Sequence, residues 1–321
     1  MRYYPGDFIG TGEALGHAPR CAVTHTPQRD TAMIYALLKT MRPKQWVKNI
    51  FVFAALVFDE KLFNLPLLLR TTAAFVLFCL ISGTVYIVND IADREKDRQH
   101  PTKRNRPLAS GRLSLPVAWA GAALFFAFST AGAFALDPAL GGVILGYFVM
   151  QVAYSFLLKN LVIVDVLAIA AGFLLRVQAG VITAHAARFS PWLYICMTLL
   201  ALFLGIGKRR GELILLAGNA ENHRRVLDEY NIRFLDEMIA MVTSSTVMAY
   251  SLYTFSAPNL PANHSMMLTI PFVLYGLFRY LYLIHVRGAV EPPDELVLRD
   301  KPLMLNFLLW GVAVVAVLYL S

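Results

Sequence analysis

The chain contains few charged residues for its length. Charged side chains make up 16% of the 321 residues, whereas hydrophobic side chains make up 57%, and the mean hydropathy is +0.56. Soluble globular domains carry about 25% charged residues. This composition therefore excludes an ordinary soluble domain and predicts a protein that crosses a membrane several times.

Disulfide and transition-metal patterns are also missing. The three cysteines, Cys21, Cys79 and Cys196, share no close spacing, and no two of the seven histidines form an HxxxH pair. A disulfide framework or a zinc site would need such spacings. Acidic residues are scarce too, with 21 against 29 Lys and Arg, but the basic residues lie between apolar runs. Orientation in a bilayer accounts for that excess, so we expect no nucleic-acid partner.

Nine apolar runs predict an all-α, polytopic membrane protein with nine transmembrane helices. The first run, counted from Trp46 to Phe58, is short and crosses the bilayer only if Lys44 and Lys48 extend toward its surface. Residues 1–38 are rich in glycine and proline, so we expect a flexible cytoplasmic tail before a transmembrane domain of residues 39–321. The other eight runs are 67–88, 115–136, 139–157, 161–182, 191–207, 237–256, 266–286 and 303–320.

Loop charge predicts how these helices are oriented. One set of alternate segments holds 24 of the 29 Lys and Arg: residues 1–48, 89–114, Lys159, 208–236 and 287–302. The positive-inside rule places these segments, and the N-terminus, in the cytoplasm. We expect the protein to lie in the cytoplasmic (inner) membrane. A count of eight helices would keep the 89–114 loop on that side and move only the C-terminus.

Three aspartates follow the second apolar run directly. Asp90, Asp93 and Asp97 stand at i, i+3 and i+7, so on a helix they share one face, and Asn89 joins it. Carboxylates aligned in this way repel one another, and a divalent cation removes the conflict. Mg²⁺ is the expected cation, because it takes carboxylate oxygens for part of its shell and completes the rest with water and substrate phosphates.

Basic residues follow the aspartates closely. Lys103, Arg104 and Arg106 lie on the same loop and are suited to the anionic oxygens that a metal leaves unpaired. The same composition is also typical of a solvated, charged loop at a membrane surface. Residue types and spacing alone leave both interpretations open.

Several other polar residues lie in or beside the apolar runs. Asp165 and Arg176 are eleven residues apart, on one face of a helix, and favour either an internal structural ion network or a metal-assisting carboxylate with a deeper anion-binding guanidinium. Lys159, near Tyr154, is either a topology marker or a phosphate ligand. In the stretch GIGKRRGEL, Lys208 and Glu212 share a face beside Arg209, either as a helix-end anchor or as part of a site.

Together these residues carry a family resemblance. NDxxDxxxD, here Asn89 to Asp97, with the HPTKRNRPLASG run after it, resembles the UbiA superfamily of intramembrane prenyltransferases. The chain looks most like the decaprenyl-phosphate phosphoribosyltransferase branch. The stretches that point to this branch are RPKQWVKN at 42–49, HPTKRNRP at 100–107, YSFLLKN with VDV within 154–166, and GKRRGEL at 207–213. The resemblance covers about residues 40–320.

The resemblance implies a fold and an activity. It implies nine transmembrane helices around a central cavity and Mg²⁺-dependent transfer of 5-phosphoribosyl from phosphoribosyl pyrophosphate to a polyprenyl phosphate, with release of pyrophosphate. Asp90, Asp93 and Asp97 would then be catalytic and, with Asn89, would bind the metal. The expected substrate-binding residues are Lys44, Lys48, Asn89, Lys103, Arg104, Arg106, Tyr154, Lys159, Asp165, Arg176, Lys208, Arg209 and Glu212.

Two other functions compete with this one. A UbiA-type prenyltransferase would move a polyprenyl chain from its diphosphate to an aromatic or quinone-precursor acceptor. Such enzymes carry a second aspartate motif, DxxxD, after the sixth helix, and this sequence has Lys208, Arg209 and Glu212 there instead. A transporter or lipid-binding protein would carry its intramembrane charges along a continuous path, whereas here most polar residues gather at one end of the helices.

Overall fold

The structure, a computed structural model, describes residues 27–100, 103–186, 190–216, 227, 229–257 and 260–320. These ranges are helical, with no β-strand among them. The α-helices are α1 (Pro27–Thr40), α2 (Ala54–Phe58), α3 (Leu65–Ala92), α4 (Arg94–Gln99), α5 (Leu115–Leu136), α6 (Pro138–Phe156), α7 (Val164–Thr183), α8 (Pro191–Leu216), α9 (Ile232–Ser256), α10 (Ile270–His285), α11 (Pro293–Arg299) and α12 (Lys301–Leu320). The 3₁₀ helices are Pro43–Phe53, Lys103–Asn105, Leu158–Asn160 and Ser265–Thr269.

Within the described ranges, eight helices are long and apolar enough to span a membrane: α3, α5, α6, α7, α8, α9, α12, and α10 with the 3₁₀ helix before it. They confirm the predicted all-α, multi-pass class. The largest boundary differences are at α8, which continues to Leu216 instead of 207, and at α9, which begins at Ile232 instead of 237. Polar residues such as Arg209 end the hydropathy signal of α8, but not the helix. Asn231 caps α9, because its side chain accepts the Phe234 N–H at 2.8 Å.

The predicted first crossing is a stretched helix. Before this segment, Arg42 contacts Asp90 near the C-terminal end of α3. After it, Lys61 Nζ donates to the Ala184 and His185 carbonyls, just beyond the C-terminal end of α7. The 11 residues of Pro43–Phe53 and the 5 of α2 therefore run between opposite faces of the bundle. Because a 3₁₀ helix rises about 2.0 Å per residue and an α-helix about 1.5 Å, they extend for about 30 Å, the thickness of a bilayer core.

Part of the predicted tail is ordered as a helix. Residues 1–26 lie outside the described residues, so their flexibility stays a prediction. Residues 27–40 form α1, and its Ala36 is buried in an apolar cluster with Met41, Ile87 and Leu108. Helix α1 therefore starts 12 residues before the predicted boundary at 39.

Two apolar clusters hold the halves of the bundle. Phe78 of α3 and Ile144 of α6 belong to the first, and Phe203 of α8, Ile239 of α9 and Leu283 of α10 belong to the second. Helix α7 contacts both α6 and α8 and so joins the halves. The face of the bundle on which α3 ends and α5 begins, here called the Asp90 face, carries most of the charged side chains discussed below.

Candidate active site

The end of α3 carries a cluster of alternating charges. Arg42 Nη2 donates to Asp90 Oδ1 at 2.6 Å, and Arg106 Nη1 lies 3.2 Å from the same oxygen. Arg106 Nη1 also donates to Asp97 Oδ2 at 2.6 Å. Asp90 and Asp97 are buried, at 2% and 4% exposure. Two buried carboxylates thus share one guanidinium nitrogen, as expected where burial makes an unpaired charge costly.

A break in the helix separates the third aspartate from this pair. Helix α3 ends at Ala92 and α4 begins at Arg94, with Asp93 between them outside the helical conformation. The Asp93 side chain lies 3.9 Å from Lys159 Nζ. The chain therefore turns Asp90 and Asp97 toward Arg106 and turns Asp93 toward the 3₁₀ helix before α7. Asn89 is half-buried beside them, and its carbonyl accepts the Asp93 N–H at 2.9 Å.

The donor chemistry of this cluster suits Mg²⁺. Among the described residues, no group of three or more His, Cys, Asp or Glu is placed to hold a metal. Asp90 and Asp97 nevertheless supply buried carboxylate oxygens, whose charge is compensated in this structure by Arg42 and Arg106. Mg²⁺ needs only one or two carboxylates when water and phosphate oxygens complete its shell. The set fits, and metal binding by Asn89, Asp90, Asp93 and Asp97 stays a prediction.

A second polar cluster joins α6, α7 and α8. Arg209 is fully buried, and its Nε donates to Asp165 Oδ2 at 2.5 Å while its Nη2 donates to Tyr154 Oη at 2.7 Å. Its Nη1 donates to Glu212, one turn along α8. Tyr230 Oη donates to the other Asp165 oxygen at 2.8 Å. The four predicted residues of this cluster take part in one internal network: Tyr154, Asp165, Arg209 and Glu212. Arg209 therefore supports Asp165 and is not open to a soluble ligand.

The chain just before Asp165 is strained. Ile163 has φ of 67° and ψ of −44°, and the Val164 N–H donates to the Val162 carbonyl at 2.7 Å; this is a γ-turn with positive φ, which is rare and strained for a β-branched residue. Its N–H donates to Tyr230 Oη at 2.7 Å, which holds the conformation in place. Burial, together with the hydrogen bond to Asp165, raises the pKa of Tyr230 to about 12. Tyr230 therefore stays protonated at neutral pH and keeps donating to Asp165.

The remaining predicted basic residues differ in exposure. Lys44, Lys103 and Arg104 are exposed, whereas Lys48 and Lys208 are partly buried. Lys103 and Arg104 lie in a single 3₁₀ turn between α4 and α5 on the Asp90 face. These exposed cations are the ones that a soluble anion can reach without rearrangement of the bundle.

Arg176 lies deeper, about 16 Å along α7 from Asp165. It is 7% exposed, and it donates hydrogen bonds to Asn49 Oδ1 at 2.7 Å, Gly172 O at 2.6 Å and Tyr147 Oη at 2.8 Å. The guanidinium also lies 4.8 Å from the centre of the Tyr147 ring. Within the described part of the chain, these partners are neutral, where a carboxylate or an anion was expected. Arg176 thus ties the first crossing segment to α6 and α7.

Comparison with known proteins identifies the family. The model of the UbiA prenyltransferase family matches residues 49–299. The chain belongs to the UbiA prenyltransferase family. It is also 33% identical over 283 residues to the decaprenyl-phosphate phosphoribosyltransferase of Mycobacterium tuberculosis, which covers 87% of this chain and 92% of that protein. The same-named protein of Corynebacterium glutamicum is 33% identical over 295 residues, covering 88% and 87%.

A solved UbiA structure shares the fold. The UbiA homolog from Archaeoglobus fulgidus, bound to DMAPP and Mg²⁺, superposes with a TM-score of 0.68 at 19% identity, over 89% of this chain and 100% of that chain. The predicted family resemblance is therefore confirmed by sequence and by fold.

Sequence reasoning missed several residues of this UbiA protein's polar clusters. Arg42 and Asn49 both lie in the quoted stretch RPKQWVKN, yet Lys44 and Lys48 were preferred as ligands. Arg42 has φ of 53°, and this reversal turns it toward Asp90, 48 residues away in sequence. Tyr230 carried no signal, because a lone tyrosine in a polar loop is compatible with many roles.

Proposed function

We propose that this UbiA protein transfers 5-phosphoribosyl from phosphoribosyl pyrophosphate to a polyprenyl phosphate and releases pyrophosphate, with Mg²⁺ as cofactor. The names of the relatives from Mycobacterium tuberculosis and Corynebacterium glutamicum support a phosphoribosyl group as the group transferred and a polyprenyl phosphate as the acceptor. The observation that carries the proposal is the alternation of Arg42, Asp90, Arg106 and Asp97 around the C-terminal end of α3. Carboxylates for a metal and guanidinium groups for phosphate oxygens lie within one cluster.

In the proposed reaction, the bond from ribose C1 to the pyrophosphate oxygen breaks, and a bond from C1 to a lipid phosphate oxygen forms. Pyrophosphate leaves with the bonding electrons, and the phosphate oxyanion supplies the new pair, so no proton has to be removed. Attack opposite the leaving group inverts C1. When bound by Asp90, Asp93, Asp97 and Asn89, Mg²⁺ would supply positive charge to the leaving pyrophosphate.

The chain's own cations would hold the two substrates. Arg106 and Arg42 would donate to pyrophosphate oxygens, because bidentate guanidinium groups match their geometry. Lys103 and Arg104 are exposed on the same face and would bind the 5-phosphate. The lipid phosphate would approach along the first crossing segment, where Lys44 marks the level of the bilayer surface. Lys159, beside Asp93, would join the phosphate ligands.

The second candidate is prenyl transfer from a polyprenyl diphosphate to an aromatic or quinone-precursor acceptor. Solved family members carry DMAPP or GPP with Mg²⁺, and the same aspartates would serve that reaction. We prefer ribosyl transfer, because the position of the second aspartate motif holds the Arg209 network. We also place the Asp90 face in the cytoplasm, at the inner membrane, because a soluble pyrophosphate donor has to reach it.

Proteoliposomes with both donors in separate arms test the proposal. Ribosyl-labelled phosphoribosyl pyrophosphate plus polyprenyl phosphate should yield a labelled lipid. A labelled polyprenyl diphosphate plus an aromatic acceptor should yield no prenylated acceptor. Asp93→Asn should lower the rate at least about 100-fold, as for loss of a group that stabilises developing charge. Glu95→Gln is the matched control, because Glu95 is exposed and pairs with Arg98 instead. Wild-type turnover by Asp93→Asn would contradict the metal assignment.

A further inference from the structure

Over residues 32–40, where its side chains are described, helix α1 packs against the bundle along one side. Ala36 is buried, and Leu37 contacts α5 at Gly121, where an added Cβ would come within 2.9 Å of the leucine. Just after α1, Met41 is fully buried against Gly83 of α3 in the same way. The two glycines allow this side of α1 to lie close to the spanning helices.

The opposite side of α1 is apolar and exposed. Ile34, Leu38 and Tyr35 are exposed at 59%, 43% and 68%. At 100° per residue these side chains cover a continuous sector of about 100°, and exposed Lys39 lies at its edge. A continuous apolar strip of this kind on a helix is typical of contact with another apolar phase.

The height of α1 on the bundle identifies that phase. Gly121 lies about 9 Å along α5 from its first residue, and Gly83 lies about 10 Å along α3 from Asp90. At this level, the outer surface of α5 exposes Trp119 at 54% and Leu124 at 66%. Since α5 spans the membrane, these side chains lie among lipids, with tryptophan at the level typical of the interface.

We propose that α1 is an interfacial helix whose strip Ile34, Tyr35 and Leu38 lies among the lipids of the leaflet on the Asp90 face. The occupant of the strip is the hydrocarbon boundary of the bilayer, because α1 packs at the height where its neighbour α5 is lipid-exposed. Val47 and Ile50, in the crossing segment that follows, are also exposed and apolar and continue this lipid-facing surface along the chain. The interfacial helix thereby holds Arg42 at a fixed depth.

Nitroxide accessibility in liposomes tests this placement on the full chain. Spin labels are attached to Leu38→Cys and, as matched control, to the adjacent Lys39→Cys. Cys21 is replaced by serine, and buried Cys79 and Cys196 are left in place. We expect the label at 38 to have a severalfold higher ratio of oxygen to nickel-chelate accessibility than the label at 39.

A second label position guards against a local folding defect. Ile34→Cys lies one turn before Leu38 on the same strip and should give the same high ratio. Equally low ratios of oxygen to nickel-chelate accessibility at 34, 38 and 39 would show that the strip faces water. Protection of 34 and 38 from both reagents would show that protein, such as a second copy of the chain, covers the strip. Either result overturns the proposal.

Discussion

Arg106 and a metal ion should compete for the same carboxylates. In the structure Arg106 Nη1 lies 2.6 Å from Asp97 and 3.2 Å from Asp90, so a cation entering between them has to displace it. Each charge-assisted hydrogen bond is worth about 1.5–3 kcal/mol net. Without Arg106 the two carboxylates, whose oxygens lie at most about 6 Å apart because both contact one nitrogen, would repel each other by about 3 kcal/mol at an effective dielectric of 20. Arg106→Ala should therefore bind a divalent cation more tightly.

We expect the gain to be about 1.4–3 kcal/mol, which is about 10- to 100-fold in affinity. Titration of purified protein with Mn²⁺, followed by electron paramagnetic resonance without substrate, measures it directly. Arg98→Ala is the matched control. It also removes one positive charge, from nearby α4, but Arg98 pairs with Glu95, so the Asp90 and Asp97 contacts stay intact. An unchanged or weaker Mn²⁺ affinity in Arg106→Ala, with Arg98→Ala as reference, would refute the competition.

Three further changes test the structure around the site. Tyr230→Phe leaves an Asp165 oxygen and the Ile163 N–H without their partner, which should cost about 1–3 kcal/mol and lower the apparent melting temperature. Ile163→Gly should instead raise the melting temperature, by about 1 kcal/mol of added stability, because glycine adopts a positive φ without the steric strain of a side chain. Hydrogen bonding to Arg279 lowers the pKa of Asp300, so stability from this pair is present above the ordinary pKa and lost as pH falls through the lowered value. Melting curves below about pH 4 should show that loss, and Asp300→Asn should abolish it.

The sequence predicted the spanning helices well, because hydropathy over about 20 residues is a local property. It failed where polar residues continue a helix, as at the end of α8, where Arg209 finds Asp165 and Tyr154 as partners. The aspartate spacing also placed Asp90 and Asp97 on one face correctly. It did not reveal the helix break at Asp93, where the side chain lies 3.9 Å from Lys159, a residue 66 positions later in the chain.

The pairing of distant residues could not be predicted from spacing. Asp165 and Arg176 do lie on one helix, as the interval of eleven residues indicated, but their partners come from other elements. Arg176 binds Asn49, 127 residues earlier, and Asp165 binds Arg209, 44 residues later. A single sequence does not show which distant positions are in contact. It therefore indicates which polar residues belong to a site, but not which residues they contact.

The charge balance of the cluster indicates how metal and donor would bind. Asp90, Asp93 and Asp97 are matched by Arg42, Arg106 and Lys159, so the cluster is neutral as it stands. A divalent cation entering alone would leave two positive charges uncompensated in a mostly buried place, which is costly. A pyrophosphate group entering with it supplies the missing negative charge and gives the displaced arginines new partners. Metal and donor should therefore bind with positive coupling, each raising the affinity for the other by the same factor.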